Sequence, residues 1–269
     1  MNTSTSAERV DWLIHQSVAI YPAIDQLVDG EPTYRQILRL GINATAIALA
    51  NGESVSDIGY NLLALKPVQL DIPGPLDTLA YQYADVQRVT LDREGNLETD
   101  ARHAIHLMKL AVPYAQLYYP QLDAGKIATY SLTHDIVEAY ANDTPSLGIT
   151  PEQMKKKDLA EALAMKELKR DYANEWPEFI ELIETYEACE DAEARFTKAF
   201  DKLDPGFTQL YTQGSQLINY FKYSKRDFFG AIAEGSQRME KYASDFPFVL
   251  EDRKELTHRV AAITYQKTA

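Results

Sequence analysis

Apolar residues recur along most of the chain at steps of three and four, the spacing that places side chains on one face of an α-helix. The pattern predicts helices over 76–89, 103–119, 124–142, 151–173, 177–189 and 191–204. Turn-forming residues at 92–96, 143–148 and 204–206 separate them. No sustained alternation of apolar and polar residues, the pattern of half-buried strands, is present. We therefore predict an all-α fold.

The same pattern divides the chain into three regions. Residues 1–75 are predicted to form a helical extension of unknown role, which ends near the turn-rich sequence DIPGP at 71–75. Residues 76–206 carry the helices with candidate chemistry. Residues 207–269 have Tyr and Phe at helical steps, and such apolar stripes pack against a core or a subunit interface. We expect C-terminal helices that do one or the other.

Composition and charge exclude several classes of protein. With 269 residues, of which 45% are hydrophobic, the chain can bury a core. Its net charge of −13 argues against partners whose phosphates require clustered Lys and Arg, namely a nucleic-acid polymer or an anionic membrane. Cys189 is the only cysteine, so no intramolecular disulfide can form. The sequence shows no secretory signal and no apolar run of membrane length, and we expect a cytoplasmic protein.

The candidate chemistry centres on the adjacent pair His134 and Asp135, inside the helix predicted over 124–142. Adjacent helical residues point about 100° apart, so both side chains can converge on one ion beside the helix. Glu138, one turn past Asp135, faces the same side. An imidazole and a carboxylate suit a divalent ion such as Mn, Fe, Co, Zn or Mg, but two ligands are too few for a tight site.

Two further residues are candidate ligands. His103 stands at the start of the next predicted helix upstream. Asp201 lies among apolar residues in the sequence ARFTKAFDKLDP, and a half-buried aspartate needs a partner. We expect both to complete the metal site.

These residues resemble the HD-domain phosphohydrolases, and within them the single-metal group that includes the bacterial 5'-deoxynucleotidases. The matching motifs are ETDARH at 98–103, HDIVEAYANDT at 134–144 and ARFTKAFDKLDP at 194–205, so the resemblance covers roughly 76–206 as an HD-type phosphohydrolase core. The resemblance implies one divalent metal ion (Mn, Co, Fe, Mg or Zn) held by His103, His134, Asp135 and Asp201. Such a set leaves positions for water and a substrate phosphate oxygen.

The resemblance also implies roles for residues that do not bind the metal. Glu138 is expected to orient or deprotonate the attacking water, and Asp143 to contact the sugar hydroxyl. Arg88, fifteen residues before His103, is expected to grip the phosphate, because its planar guanidinium pairs bidentately with phosphate oxygens. Val89 departs from the pattern, since the deoxynucleotidases carry a tryptophan there that helps choose the deoxyribose. The sugar preference is therefore open.

Absent residues narrow the choice within the superfamily. No histidine lies between His134 and Asp201, where two-metal HD phosphodiesterases and the large deoxynucleotide triphosphohydrolases need further ones, so one metal is favoured. The alarmone hydrolases carry a second acid directly after the glutamate, whereas here AYAN separates Glu138 from Asp143. His106 has no counterpart among the family's ligands, and we expect it to support or pack beside the site.

The function that the resemblance implies is hydrolysis of a small nucleotide substrate, a (deoxy)nucleoside 5'-monophosphate. Two alternatives remain. One is a (deoxy)nucleoside triphosphatase or pyrophosphohydrolase that uses the same single-metal site. The other is a non-catalytic HD-fold protein that binds a nucleotide, although such a protein would not need Glu138. Members of the family often pair, and the aromatic tail offers a surface for a homodimer.

Overall fold

A computed structural model describes residues 4–25, 32–64 and 74–266. Within these residues the protein consists of helices and one antiparallel hairpin. The helices are α1 (Ser6–Asp25), α2 (Pro32–Ala50), α3 (Val55–Leu63), α4 (Asp77–Ala84), α5 (Asp100–Tyr118), α6 (Ala124–Thr133), α7 (Glu138–Ala141), α8 (Pro151–Tyr172), α9 (Pro177–Glu187), α10 (Ala192–Asp201), α11 (Asp204–Tyr211), α12 (Ser215–Asn219), α13 (Lys225–Ala243) and α14 (Pro247–Tyr265). The strands are β1 (Gln87–Leu91) and β2 (Leu97–Thr99). The predicted all-α class is confirmed.

The hairpin is the first departure from the predicted elements. The helix predicted over 76–89 ends at Ala84, and the chain continues as β1. Val89 and Thr90 are β-branched and favour an extended backbone. Gly95, with φ of +89°, turns the chain between the strands. Because β2 has only three residues, its alternation is too short to be recognised in the sequence.

The second departure lies at the pair His134 and Asp135. The helix predicted over 124–142 is two helices, α6 and α7, joined by a tight turn. In this turn the backbone N–H of Glu138 donates to the carbonyl of Asp135 at 2.8 Å, three residues back instead of four. The His134 ring donates from Nδ1 to the Ser131 carbonyl at 2.9 Å, an oxygen that a continued helix would pair with the Asp135 N–H. Asp135 and Glu138 are therefore neighbours because of a turn, and not because they share a helix face.

Side-chain caps fix where the helices around this turn begin. Thr99 caps α5 by accepting a hydrogen bond from the backbone N–H of Arg102, and Asp123 caps α6 in the same way through Gly125. Asp191 caps α10. The three helices pack against one another, and α5 is buried on most sides. Their ends are thereby brought to one place in the core.

The N-terminal helices pack on this same core. α3 crosses α6 in backbone contact, because a Cβ on Gly59 would stand 1.7 Å from the carbonyl oxygen of Gly125. α1 is joined to α14 by a buried ion pair in which Nη2 of Arg9 lies 2.8 Å from Oδ1 of Asp252. The predicted boundary at 71–75 falls partly on residues 71–73, outside the described residues. The division of the chain into three regions stays a prediction.

No helix in the described part of the chain is both long enough and apolar enough to cross a lipid bilayer.

Candidate active site

Four predicted ligands meet where α5, α6 and α10 approach one another. His103 lies in the first turn of α5, His134 and Asp135 directly follow α6, and Asp201 is the last residue of α10. Nε2 of His103 lies 3.2 Å from Nε2 of His134 and 2.9 Å from Oδ1 of Asp201. Nε2 of His134 lies 2.9 Å from Oδ2 of Asp135. Ligand atoms of His103, His134 and Asp201 lie within 4.8 Å of one another, and Asp135 adjoins this group through His134. That the four residues bind a metal stays a prediction.

The protonation of the two imidazoles suits a divalent cation. Nδ1 of His134 donates to the Ser131 carbonyl, and Nδ1 of His103 faces Oδ2 of Asp204 at 2.8 Å. Both partners only accept hydrogen bonds, so each ring carries a proton on Nδ1, and each ring that is otherwise unprotonated presents a lone pair on Nε2. Two such lone pairs and two carboxylate oxygens repel one another unless a positive charge lies among them. Imidazole and carboxylate ligands suit Mn, Fe, Co or Zn.

The pKa shifts of His103 and Asp201 show that the predicted metal site favours a positive charge. Burial and the charge of Arg88 act to lower the pKa of His103, but the hydrogen bonds to Asp201 and Asp204 outweigh them and raise it well above its ordinary value. Burial acts to raise the pKa of Asp201, and Lys202 together with the two histidines holds it well below the usual range. Asp201 is therefore ionised, and its charge is balanced either by a proton on His103 or by a bound cation.

Asp204 is a functional candidate that was missed in the sequence. Its Oδ2 lies 2.8 Å from Nδ1 of His103, and its Oδ1 lies 2.5 Å from Nδ1 of His106. Nε2 of His106 continues the chain of hydrogen bonds to Oγ of Ser17 in α1 at 2.8 Å. Asp204 and both histidines are fully buried. Its only sequence signal was a second acid close behind Asp201. His106 contacts Asp204, and its role in supporting the site stays a prediction.

Replacing Asp204 with asparagine should weaken metal affinity by about 10- to 100-fold, the usual effect of losing the partner of a ligating histidine. Asparagine replaces one of the two acceptor oxygens with an NH2 donor, so it cannot accept hydrogen bonds from both Nδ1 atoms in this arrangement. Competition against a chelating dye would measure the dissociation constant, with circular dichroism to check the fold. Asp245→Asn, an exposed aspartate, is the matched control. Equal affinity of wild type and a folded Asp204→Asn variant would contradict this role.

Arg88 reaches the site from β1. Its Nη1 lies 3.1 Å from Oδ2 of Asp135 and 3.3 Å from Oδ1 of Asp100, and its Nε lies 3.8 Å from Oε2 of Glu98. Burial acts to lower the pKa of Arg88, but these carboxylates outweigh it and raise the pKa further above its ordinary value. Burial raises the pKa of Asp100 to about 7. The guanidinium is thus beside a predicted metal ligand and is already paired with acids.

Glu138 stands at the start of α7, on the far side of the turn from Asp135. It is buried, with Oε1 3.7 Å from Nζ of Lys157, and its Oε2 has no hydrogen-bond partner among the described residues. Burial, followed by the charges of Asp135 and Asp100, raises the pKa of Glu138 to about 10. An uncommitted carboxyl oxygen close to the candidate metal centre can bond a water or a substrate atom.

These groups open onto one cavity of about 400 Å³. Five of the seven predicted site residues line it: Arg88, Asp135, Glu138, Asp143 and Asp201. The two histidine ligands are buried behind its wall. Val89 also lines the cavity, which continues between α11, α13 and α14 along apolar side chains that include Phe228, Ile232 and Leu256. The candidate metal centre is therefore one end of a larger binding space.

Comparison with known families decides the family of this chain. A family model described as HD domain matches residues 82–241, more than half of the chain. The protein belongs to the HD domain family. The match runs past residue 206 and covers nearly all of α13, which lines part of the cavity.

A solved structure shares the fold of this HD domain protein. It is the crystal structure of a protein from Magnetospirillum magnetotacticum MS-1 named a predicted metal-dependent phosphohydrolase, with a TM-score of 0.53 and 24% sequence identity. The similarity covers 68% of this chain and 88% of that one. Among curated protein sequences, none matches the chain.

Proposed function

We propose that this HD domain protein is a metal-dependent phosphohydrolase, and that it removes the phosphate from (deoxy)nucleoside 5'-monophosphates. The observation that carries the proposal is the convergence of His103, His134, Asp135 and Asp201 at one end of a ligand-sized cavity. The name of the structural relative, a metal-dependent phosphohydrolase, agrees with it. The (deoxy)nucleotide substrate comes from the motif resemblance in the sequence.

In this proposal the four residues hold one divalent cation. When bound, such a cation polarises a phosphoryl oxygen and acidifies water. In this role the unpartnered Oε2 of Glu138 accepts a hydrogen bond from the attacking water. Burial raises the pKa of Glu138 to about 10 in the metal-free protein, and a bound cation would lower it, so that the ionised carboxylate could take the proton. Arg88 offsets the charge of the phosphate from the cavity wall, and the carboxylates around it hold its guanidinium in place. Asp143 lines the cavity where a sugar hydroxyl could bind it.

Release of inorganic phosphate from a panel of nucleotides, with Mn, Co, Mg or Zn supplied in turn, tests the proposal. We expect phosphate from AMP and dAMP with at least one metal and none after chelation. Release of pyrophosphate or several phosphates from ATP, with no reaction of the monophosphates, would instead support a triphosphatase or pyrophosphohydrolase. Binding of nucleotides without any product would support a non-catalytic role.

Val89 lines the cavity next to Arg88, and we predict that it leaves the enzyme with little preference for the deoxy sugar. Valine leaves room for a 2'-hydroxyl, and one apolar contact discriminates weakly, so kcat/KM for dAMP and AMP should differ by less than about tenfold. Steady-state kinetics with both substrates would measure this ratio, and Val89→Trp should shift it toward dAMP. A preference of several hundredfold in the wild type would show that another side chain closes the sugar pocket.

A further inference from the structure

Arg253 of α14 is a buried guanidinium without an acidic partner. The residue is only 8% exposed. Its Nη1 donates to the carbonyl of Ile232 at 3.2 Å and to the hydroxyl of Ser236, both of which are neutral. Among the residues that the structure describes, its Nε has no hydrogen-bond partner and no carboxylate forms an ion pair with it. A buried charge without compensation is costly, so a site of this kind favours an anion.

A second arginine stands beside it. Nη2 of Arg253 lies 3.0 Å, and Nη2 of Arg238 lies 3.9 Å, from the point where a Cβ on Gly235 would stand. Arg238 donates to the carbonyl of Ser146 at 2.9 Å, again a neutral acceptor. Burial, and to a smaller extent the charge of Arg238, lowers the pKa of Arg253 to about 10. Two adjacent positive charges without an acid between them do not stabilise the fold.

The two arginines line the same cavity as the predicted metal ligands Asp135 and Asp201. Tyr242, which also lines the cavity, interacts electrostatically with Asp201 on one side and with Arg253 on the other. The wall that the two parts of the cavity share is largely apolar, with Phe228, Ile232, Met239, Leu256 and Val260. A single small molecule could therefore contact the metal centre, the apolar wall and the arginines.

We propose that Arg238 and Arg253 form an anion subsite that binds a second anionic group, a phosphate or a carboxylate, on the organic part of the substrate. Guanidinium groups pair bidentately with either group. The proposal rests on the proposed phosphohydrolase function, which assigns the reacting phosphate to the metal centre. Among the phosphomonoesters that the proposed function hydrolyses, those with a second anionic group, such as a nucleoside 3',5'-bisphosphate, would then bind most tightly, with the organic part on the apolar wall.

The test compares pairs of probes that differ only in the second phosphate: AMP with adenosine 3',5'-bisphosphate, and fructose 6-phosphate with fructose 1,6-bisphosphate. Calorimetry in the Glu138→Gln background, in which hydrolysis is expected to be slow, measures the dissociation constants. We expect at least one bisphosphate to bind about tenfold or more tightly than its monophosphate, the usual effect of a hydrogen-bonded charge. Equal affinities in both pairs would overturn the subsite.

Arg253→Gln and Arg238→Gln should each remove most of the tighter binding of the bisphosphate and leave the dissociation constant of the monophosphate unchanged. Arg226→Gln, in the exposed first turn of α13, is the matched control and should keep it. The melting temperature should not fall in Arg253→Gln, because no buried acid loses its partner. If Arg253→Gln does not fold, Arg238→Gln still tests whether the arginines bind the second anion, because Arg238 is partly exposed. An advantage that survives in both folded variants would contradict the proposal.

Phosphate release from the same probes by the wild-type protein, recorded in parallel, separates the two proposals. A protein that hydrolyses monophosphates but gains nothing from a second anion lacks the subsite and keeps the proposed function. Arginine-dependent binding of bisphosphates without release of phosphate from any probe would overturn the phosphohydrolase function and leave the subsite.

Discussion

His134→Ala should lose the bound metal and release phosphate at least about a thousandfold more slowly than the wild type, which we expect to hold about one divalent ion per chain. Nε2 of His134 lies 3.2 Å from Nε2 of His103 and 2.9 Å from Oδ2 of Asp135, so the ring is central to the ligand set. A catalytic cation contributes several kcal/mol, and each step of about 1.4 kcal/mol changes the rate tenfold. Elemental analysis and phosphate release would measure the two effects.

The alternative positions for a cation make this variant informative. Glu98, His103 and Asp204 also form a cluster whose ligand atoms lie within 4.8 Å of one another, and it does not include His134. A third cluster, Asp100, Asp135 and Glu138, omits His134 as well. Metal retained in His134→Ala would therefore place the ion in one of these two clusters. Two equivalents of metal in the wild type would contradict a single site. His258→Ala, an exposed histidine on α14, is the matched control and should keep both metal and activity.

The candidate metal centre could be predicted because its residues lie in short motifs. His134 and Asp135 are adjacent in sequence, and His103 and Asp201 were candidates from their local sequence. Only the resemblance assigned all four to one site, because no local pattern pairs His103 with Asp201 across 98 residues. The predicted geometry of Asp135 and Glu138 was wrong. The sequence predicted that the two residues share a helix face, whereas a tight turn brings them together. The side-chain bond from His134 to Ser131 that accompanies this turn is invisible to helical periodicity.

The features that the sequence did not predict depend on packing between distant segments. Asp204 accepts hydrogen bonds from histidines about 100 residues earlier, although in sequence it resembles one more acid at a helix start. Arg253 lies in a helix with many charged residues, where an arginine usually extends into solvent. Only the packing of α14 against α13 buries it beside Arg238. The pattern of charges along one helix cannot show which charged side chains are buried by another helix.

Glu138→Gln should keep the fold and the metal while kcat falls by about a hundredfold or more, the usual contribution of a positioned acid or base. Glutamine preserves the size and hydrogen-bonding reach of the side chain but cannot take a proton from water. Fold stability should not suffer, because burial raises the pKa of Glu138 to about 10 and so disfavours its charged form. The ordinary pKa of this carboxyl, 4.5, applies in the unfolded protein. As the pH rises above 4.5, the carboxyl ionises in the unfolded state but stays protonated in the folded state, so it increasingly destabilises the metal-free folded protein.

The melting temperature of metal-free Glu138→Gln should therefore equal or exceed that of the metal-free wild type at neutral pH, and the difference should shrink at pH values near 4.5, where both side chains are neutral. Glu161→Gln is the matched control, since Glu161 lies 2.6 Å from the same Lys157 and also lines the cavity but lies outside the predicted catalytic set. A slow Glu138→Gln that has also lost its metal would make Glu138 a ligand and not a base. An unchanged kcat in a variant that retains its metal would remove Glu138 from the reaction. The proton of the attacking water would then have to pass to another group that lines the cavity. Asp143 is the remaining predicted candidate.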